Sequence, residues 1–384
     1  MRSFRHQFAH SLNAHGERLH AAAHSHHLWP DVSRAAHMRA WDEAAERADT
    51  KWASVLGTEW AQARESLASL LGGVPADGFC LAPNVHELLV RLVSGIENRP
   101  IRILSTGSEF HSFTRQVQRW VEAGLAIWEQ VPTEPFATLD DRFEEAVQRD
   151  GHDLVYASHV FFDSGYRFDE VFRILQRAPA RAVVAVDGYH GFMAVPTHLQ
   201  AVADRVFYLS GGYKYAMSGE GFCFMHAPAG LVERPVDTGW FAAFNDLEAE
   251  AAGLVGYAKD GNRFWGATFD PSCIYRFNAV QQMLQDESLD VAALHKRSLD
   301  LQDHFLQGLE GAPLGLVSEQ LVVQDAQRRG NFLTFRREDA TELKARLLNA
   351  GLVVDARGDR LRFGFGLYHD IEYIDAVLER VRSA

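Results

Sequence analysis

Between residues 80 and 230, short apolar runs alternate with stretches that have a helical pattern of apolar residues. The runs are rich in Val, Ile, Leu and Phe and lack regular polar positions, which is typical of strands buried on both faces of a sheet. They span residues 101–105, 125–131, 154–158, 182–187, 206–210 and 222–226. The helical stretches between them lie near residues 113–123, 139–149 and 168–176. Buried strands separated by helices predict an α/β fold with a mainly parallel sheet.

The two ends of the chain have a different pattern of apolar residues. An amphipathic helix is predicted from about residue 31 to 71, where Gly72 and Gly73 end it. After residue 285, the pattern predicts a small α+β domain. Its predicted elements are helices at 290–309, 338–350 and 370–382 and strands near 315–323, 331–336, 352–355 and 360–364. We therefore expect an N-terminal segment at residues 1–45, a large domain at 46–280 and a small domain at 281–384.

Composition excludes several classes of partner. Asp and Glu number 51 against 38 Lys and Arg, so the net charge is −13 and binding to nucleic acid or to anionic membranes is not expected. No apolar window is long enough to span a membrane, and the N-terminus lacks an apolar signal core. The three cysteines are far apart, which favours a reducing cytoplasm over a disulfide framework.

The first 40 residues hold eight of the 18 histidines, including His24, His26 and His27. Such a cluster suggests either a metal site or a polar segment at the entrance to a cavity. No carboxylate or cysteine is spaced to complete a metal shell, so the sequence favours the polar segment and no metal is expected.

Two chemically distinctive residues follow neighbouring apolar runs. Asp187 ends the run at 182–187, where it is equally compatible with a turn cap and with a carboxylate that faces a ligand. Lys214 follows the run at 206–210, with small and apolar neighbours, and is one of only five lysines. A lysine in a turn is usually a surface residue, but a lysine in a restricted site can form a Schiff base with an aldehyde. Together the two residues suit pyridoxal phosphate, whose ring nitrogen needs a carboxylate and whose aldehyde needs a lysine.

The phosphate of such a cofactor needs a separate anchor. Asn84, Val85 and His86 begin a predicted helix, with Asn84 as N-cap and Glu87 three residues later. Backbone N–H groups and the helix dipole suit a dianion at this point. Helix caps are common, so this feature gains weight only beside Asp187 and Lys214.

In this order, the motifs resemble those of the class V aminotransferase group of fold-type I pyridoxal-phosphate enzymes, and are most similar to those of kynureninases. The resemblance implies a seven-stranded, mainly parallel sheet in the large domain. It also implies that Lys214 forms the aldimine with the cofactor, that Tyr213 contacts the phosphate, and that Asp187 and His190 lie at the ring. By the same resemblance, His159 lies near the ring and Phe110 over it, although by itself Phe110 is typical of a core aromatic.

The remaining motifs concern the substrate and a second subunit. Thr238-Gly239-Trp240-Phe241 resembles a kynureninase motif whose Trp helps to hold phosphate from the neighbouring subunit of a homodimer, and Thr268 lies in a similar cofactor segment. Arg362 resembles the arginine that binds the substrate α-carboxylate, although Arg360 lies on the same strand face. His24 and Ser25 align loosely with the substrate entry loop.

The resemblance implies a kynureninase-like enzyme that hydrolyses the Cβ–Cγ bond of an amino acid. The sequence departs from the kynureninase pattern after Trp240 and around Thr268, and an aminotransferase or a C–S lyase uses the same motif set. A cysteine desulfurase is disfavoured, because it needs a cysteine on a mobile loop and Cys273, in Asp270-Pro271-Ser272-Cys273-Ile274-Tyr275, is expected to be buried. A non-enzymatic binding protein is disfavoured by the presence of both Lys214 and Asp187.

Overall fold

The N-terminal part contacts elements from the C-terminal third of the chain, since its short first strand pairs with a strand of that part and the long N-terminal helix packs on one of its helices. The computed structural model describes residues 1–246, 253–309 and 314–384. The first elements are α1 (Ala9–His15), β1 (Leu19–His20), α2 (Asp31–Arg47), α3 (Lys51–Ser54) and α4 (Trp60–Leu70). The single helix predicted for 31–71 is therefore interrupted, by a 3-10 turn at Ala48–Thr50 and a π-helical turn at Val55–Glu59. Gly72 and Gly73 follow α4 with φ of +89° and +84°, and they end the helical region as predicted.

The centre of the protein is a seven-stranded sheet. Its strands are β2 (Phe79–Ala82), β3 (Ile101–Thr106), β4 (Ala126–Val131), β5 (Leu154–Ser158), β6 (Val183–Asp187), β7 (Val206–Gly211) and β8 (Cys223–His226). They lie in the order β2-β8-β7-β6-β5-β3-β4, and the pairs from β4 to β7 are parallel. β8 pairs antiparallel with β7 and β2. The predicted α/β class with a mainly parallel sheet is confirmed, and β2 is a short strand that the pattern did not predict.

Helices cover both faces of this sheet, because its strands are apolar on both sides. They are α5 (Val85–Ser94), α6 (His111–Glu122), α7 (Leu139–Gln148) and α8 (Val171–Gln176). Tyr156 of β5 belongs to the core cluster that contains Leu88 and Phe113, from α5 and α6. Its neighbour Val155 belongs to the cluster that contains Phe143, from α7. Every residue of β5 is buried, as expected for a strand between two helical layers.

The C-terminal part builds a second core around a small antiparallel sheet. Its elements are α9 (Ser272–Asp286), α10 (Val291–Gly308), β9 (Phe332–Arg336), α11 (Ala340–Asn349), β10 (Leu352–Val353), β11 (Asp355–Arg357), β12 (Arg360–Gly364) and α12 (Ile371–Ser383). The order of the three-stranded sheet is β11-β12-β9, with both pairs antiparallel. β1 pairs in parallel with β10, so the N-terminal segment lies against this small core.

The strand predicted for residues 315–323 is wrong. The structure has a single 3-10 turn there, Ser318–Gln320. Leu316 and Leu321 are buried in the small core from irregular backbone, which explains why the apolar pattern resembled that of a strand. The predicted domain boundaries stay predictions, and α9 runs across the one between 280 and 281. Within the described ranges, no helix is long and apolar enough to cross a membrane.

Candidate active site

Lys214 lies in the loop after β7 and is buried, with 8% of its surface exposed. Its Nζ atom donates a hydrogen bond of 2.8 Å to the backbone carbonyl of His24. Burial lowers the pKa of the Lys214 ammonium to about 7, with the positive charge of Arg362 as the second cause, while Asp187 acts in the opposite direction. A lysine with this pKa is partly neutral at pH 7, and a neutral amine is a nucleophile.

Asp187 ends β6, the strand next to β7 in the sheet. Its Oδ2 accepts a hydrogen bond of 3.0 Å from the hydroxyl of Tyr156, and its Oδ1 accepts one of 2.8 Å from the backbone N–H of Tyr189. Burial raises the pKa of Asp187, while these two hydrogen bonds and the charge of Lys214 favour the ionised form. The carboxylate is thus fixed in place, and a cationic N–H group beside it would stabilise its charge.

Lys214 and Asp187 line the same cavity, of about 660 Å³, at the carboxyl ends of the parallel strands. This is where ligands bind in open α/β sheets. The cavity brings together most of the residues predicted for the site, from both ends of the chain. Those that line it are Ser25, Asn84, Val85, His86, Phe110, Asp187, His190, Tyr213, Lys214 and Arg362.

The amino end of α5 forms one wall of the cavity. Asn84 caps this helix, since its side-chain oxygen accepts a hydrogen bond of 2.9 Å from the backbone N–H of Glu87. Val85 and His86, the first residues of the helix, also line the cavity. The first backbone N–H groups of a helix have no intrahelical acceptor, so this wall suits an anion.

His190 lines the cavity together with Lys214. Its Nδ1 is buried and has no hydrogen-bond partner among the described residues. Burial and then the charge of Lys214 lower the pKa of His190 well below its ordinary value, so the imidazole is neutral. The neutral ring lines the cavity without adding a positive charge to that of Lys214.

Arg362 enters the cavity from β12 in the small antiparallel sheet. Its guanidinium is buried and donates hydrogen bonds to the carboxylate of Asp355 and to the backbone carbonyl of Phe162. Arg360 instead pairs with Glu134, whose exposed carboxylate it contacts at 2.8 Å. The structure therefore distinguishes the two arginines, and the one in the cavity is Arg362.

Four of the predicted site residues do not line the cavity. Ser158, the last residue of β5, lines the cavity. The next residue, His159, does not, and its Nε2 lies 3.4 Å from Oδ1 of Asp169. The ring of His24 is fully buried against Phe332, with ring centroids 4.5 Å apart, and only its backbone carbonyl contacts Lys214. The other two, Trp240 and Thr268, are exposed outside the cavity.

Sequence reasoning missed several residues that support the site. Tyr156 donates to Asp187 and Asp355 accepts from Arg362. Glu109 is buried and accepts hydrogen bonds from Thr106 and Ser158, at 2.5 and 2.6 Å. Burial raises the pKa of Glu109 to about 8. The sequence feature that could have identified Glu109 is its position directly before Phe110, the aromatic residue predicted for the site.

Comparison with known proteins gives a consistent result. The kynureninase C-terminal domain family matches residues 294–381. Kynureninase from Deinococcus radiodurans is 28% identical over 246 residues, which cover 62% of this chain. The match spans 56% of the length of that curated relative, a little over half.

Solved structures match over nearly the whole chain. C-DES, in a mutant with glycine covalently linked to its PLP cofactor, superposes with a TM-score of 0.83 at 17% identity and covers 99% of both chains. The cystine C–S lyase C-DES in complex with its product cysteine persulfide gives a TM-score of 0.81 at 17% identity, over 96% of this chain and 98% of the other. The resemblance predicted from the motifs is thereby confirmed. The chain has the fold of the fold-type I pyridoxal-phosphate-dependent enzymes and is similar in sequence to kynureninase.

Proposed function

We propose that the protein is a pyridoxal-phosphate-dependent enzyme that carries its cofactor on Lys214. The observation that carries this proposal is the position of Lys214 and Asp187, which face one cavity from the ends of adjacent parallel strands. The polar groups of the cavity fit the cofactor as well: backbone N–H groups at the amino end of α5 would donate to the phosphate, and the Asp187 carboxylate would accept from the ring N–H.

The residues of the cavity have distinct roles in this proposal. When bound, the cofactor supplies a pyridine ring that accepts the electron pair left on the substrate α-carbon. The Asp187 carboxylate would accept from the ring N–H, and the hydrogen bonds from Tyr156 and from the backbone of Tyr189 favour its ionised form. Arg362 binds the α-carboxylate of an amino acid, for which a guanidinium offers two parallel donors. Lys214 Nζ, partly neutral at pH 7, takes the α-proton.

We further propose that the reaction is kynureninase-like, a hydrolytic cleavage of the Cβ–Cγ bond. The similarity to kynureninase supports this substrate class. So does the aromatic lining of the cavity, which suits an aryl ketone. Its aromatic members are Phe110, Phe113, Tyr156, Phe162, Tyr189 and Tyr213. Incubation of the cofactor-loaded protein with L-kynurenine tests it: release of alanine and an aromatic acid is the expected result, and no release would contradict it.

Two other reactions use the same residues. A C–S lyase is favoured by the full-length structural similarity to C-DES. It would release persulfide from L-cystine. An aminotransferase would convert the cofactor to its amine form and release a keto acid. A desulfurase with a cysteine nucleophile is not supported, because Cys80, Cys223 and Cys273 are all buried and burial raises the pKa of each thiol to about 12.

We also propose a homodimer located in the cytoplasm. Trp240 and Phe244 are exposed although they pack in one aromatic cluster with Phe241, and a second subunit would cover them. Trp240 would then reach the phosphate of the partner's site, as the resemblance implies. Light scattering tests the assembly, since a monomer that is active at every dilution would contradict it. The cytoplasm is favoured because all three cysteines are free thiols.

A further inference from the structure

Arg362 has donors left over after its protein contacts are counted. A guanidinium carries five N–H donors in a planar fork. One Nη atom donates to Asp355 and the other to the carbonyl of Phe162, which takes two of the five. The Nε atom is buried and has no partner among the described residues. The guanidinium is therefore held along part of its edge, and each Nη atom keeps a second N–H that these two bonds do not use, on a side chain that lines the cavity.

Asp355 holds this guanidinium from the neighbouring strand. Asp355 of β11 lies directly opposite Arg362 of β12 in the antiparallel ladder, and its side chain is buried. The Arg362 guanidinium also lies 5.8 Å from the ring centroid of Phe332. The salt bridge and the aromatic ring together restrict the rotation of the arginine fork.

The charge of Asp355 is compensated from more than one direction. Besides Arg362, the ammonium of Lys344 lies 3.7 Å from Oδ1 and the guanidinium of Arg357 lies 3.8 Å from Oδ2. These cations offset the negative charge of Asp355, which weakens its repulsion of an incoming carboxylate.

We propose that Asp355 is a positioning residue that fixes Arg362 for the α-carboxylate of the substrate, and thereby makes the site select amino acids over amines. The inference rests on the proposed function, in which Arg362 binds that carboxylate. Bidentate recognition requires the plane of the fork to be set before the ligand arrives. Asp355 fixes the plane of the Arg362 guanidinium, because its own carboxylate is held opposite Arg362 by the pairing of β11 with β12.

The test uses two ligands that differ only by a carboxylate. The cofactor-loaded protein is titrated with L-alanine and with ethylamine, and binding is followed by the visible absorption of the cofactor. The variants are Asp355→Ala and Asp355→Asn. The matched control is Asp359→Asn, at the turn of the same hairpin, where Asp359 is half exposed and contacts Arg336 and Arg360.

Asp355→Ala should raise the dissociation constant for L-alanine by about tenfold or more, because a charge-assisted contact that orients the fork is lost. Asp355→Asn should have a smaller effect, since its amide oxygen still accepts from Arg362. The dissociation constant for ethylamine should stay within about twofold in both variants, and the control should change neither value.

Three results would overturn the inference: unchanged L-alanine affinity, tighter L-alanine binding, or an equal loss for both ligands, which indicates a merely structural role. Thermal melting of the apoproteins identifies a variant that fails to fold, and Asp355→Asn, with its preserved shape, then carries the test. A wild-type protein without a visible cofactor band would refute the proposed function and this inference with it. A normal band with unchanged L-alanine affinity would refute the inference alone.

Discussion

Replacement of Tyr156 by Phe removes one hydrogen bond from Asp187 and little else. The Tyr156 ring is buried and stacks on Phe113, with centroids 4.1 Å apart and an interplanar angle of 13°. A phenyl ring keeps this packing. The hydroxyl, 3.0 Å from Asp187 Oδ2, is the group that is lost.

The size of the expected loss in cofactor affinity follows from the hydrogen bond that is removed. A hydrogen bond to a charged group contributes about 1.5–3 kcal/mol, and each 1.4 kcal/mol corresponds to about tenfold in an equilibrium constant. Burial already raises the pKa of Asp187, and loss of the Tyr156 donor raises it further. The ionised form that pairs with the cofactor ring N–H is thus less favoured. We expect the dissociation constant for pyridoxal phosphate to rise by about 10- to 100-fold.

The assay is a titration of apoprotein with pyridoxal phosphate, followed by visible absorption. Tyr275→Phe is the matched control, because Tyr275 is also buried and donates to a carboxylate, that of Glu43, away from the cavity. The control should bind the cofactor like the wild type. An affinity of Tyr156→Phe within about twofold of the wild type would refute the role given to Asp187 and its donors.

Three further predictions concern pH. Burial lowers the pKa of His27 to about 4 and that of His369 to about 3, whereas both have a pKa near 6.5 in the unfolded chain. Their contribution to the free energy of unfolding is therefore complete above pH 6.5 and is lost as the pH falls below 6.5. The loss is about 1.4 kcal/mol per pH unit for each histidine. Urea unfolding at pH 7 and pH 5 measures this loss, and a flat profile that His27→Gln leaves unchanged would contradict it. The rate at which apoprotein captures pyridoxal phosphate should rise with pH, with a midpoint near pH 7, where Lys214 loses its proton. Arg362→Met should move this midpoint to higher pH, because the variant removes a positive charge that lowers the pKa of Lys214. A midpoint above pH 9 in the wild type would be inconsistent with the burial of Lys214. Because the pKa of Glu109 is raised to about 8, this group destabilises the fold increasingly between pH 4.5 and pH 8. Glu109→Gln should therefore be more stable than the wild type by up to about 4 kcal/mol at pH 8 and about equal to it at pH 4.5, whereas an equal difference at both pH values would exclude titration of Glu109 as the cause.

The pattern of the sequence predicted the parts of the site that depend on strand ends. Asp187 and Lys214 could be paired because each follows a buried run, and parallel neighbouring strands end at the same edge of a sheet. The supporting contacts could not be found this way. Tyr156 reaches Asp187 from the neighbouring strand β5, and Asp355 reaches Arg362 only because a hairpin register puts them opposite each other.

Backbone irregularities were also beyond the reach of the pattern. The π-helical turn at Val55–Glu59 lies inside a stretch whose apolar spacing is that of an ordinary helix. His159 and Ser158 are neighbours with opposite orientations, and the motif resemblance to the family did not indicate which of them faces the cavity. In each case the outcome depends on packing against elements that are distant in the chain.

Attachment of the cofactor to one particular lysine is the central claim, and chemical trapping tests it most directly. The protein is incubated with pyridoxal phosphate, reduced with borohydride and digested, and the modified peptide is located by mass spectrometry. The chain contains five lysines, Lys51, Lys214, Lys259, Lys296 and Lys344, so the result is unambiguous. We predict one stoichiometric adduct on Lys214. An adduct spread over the other four lysines, or none at all, would contradict the proposed function.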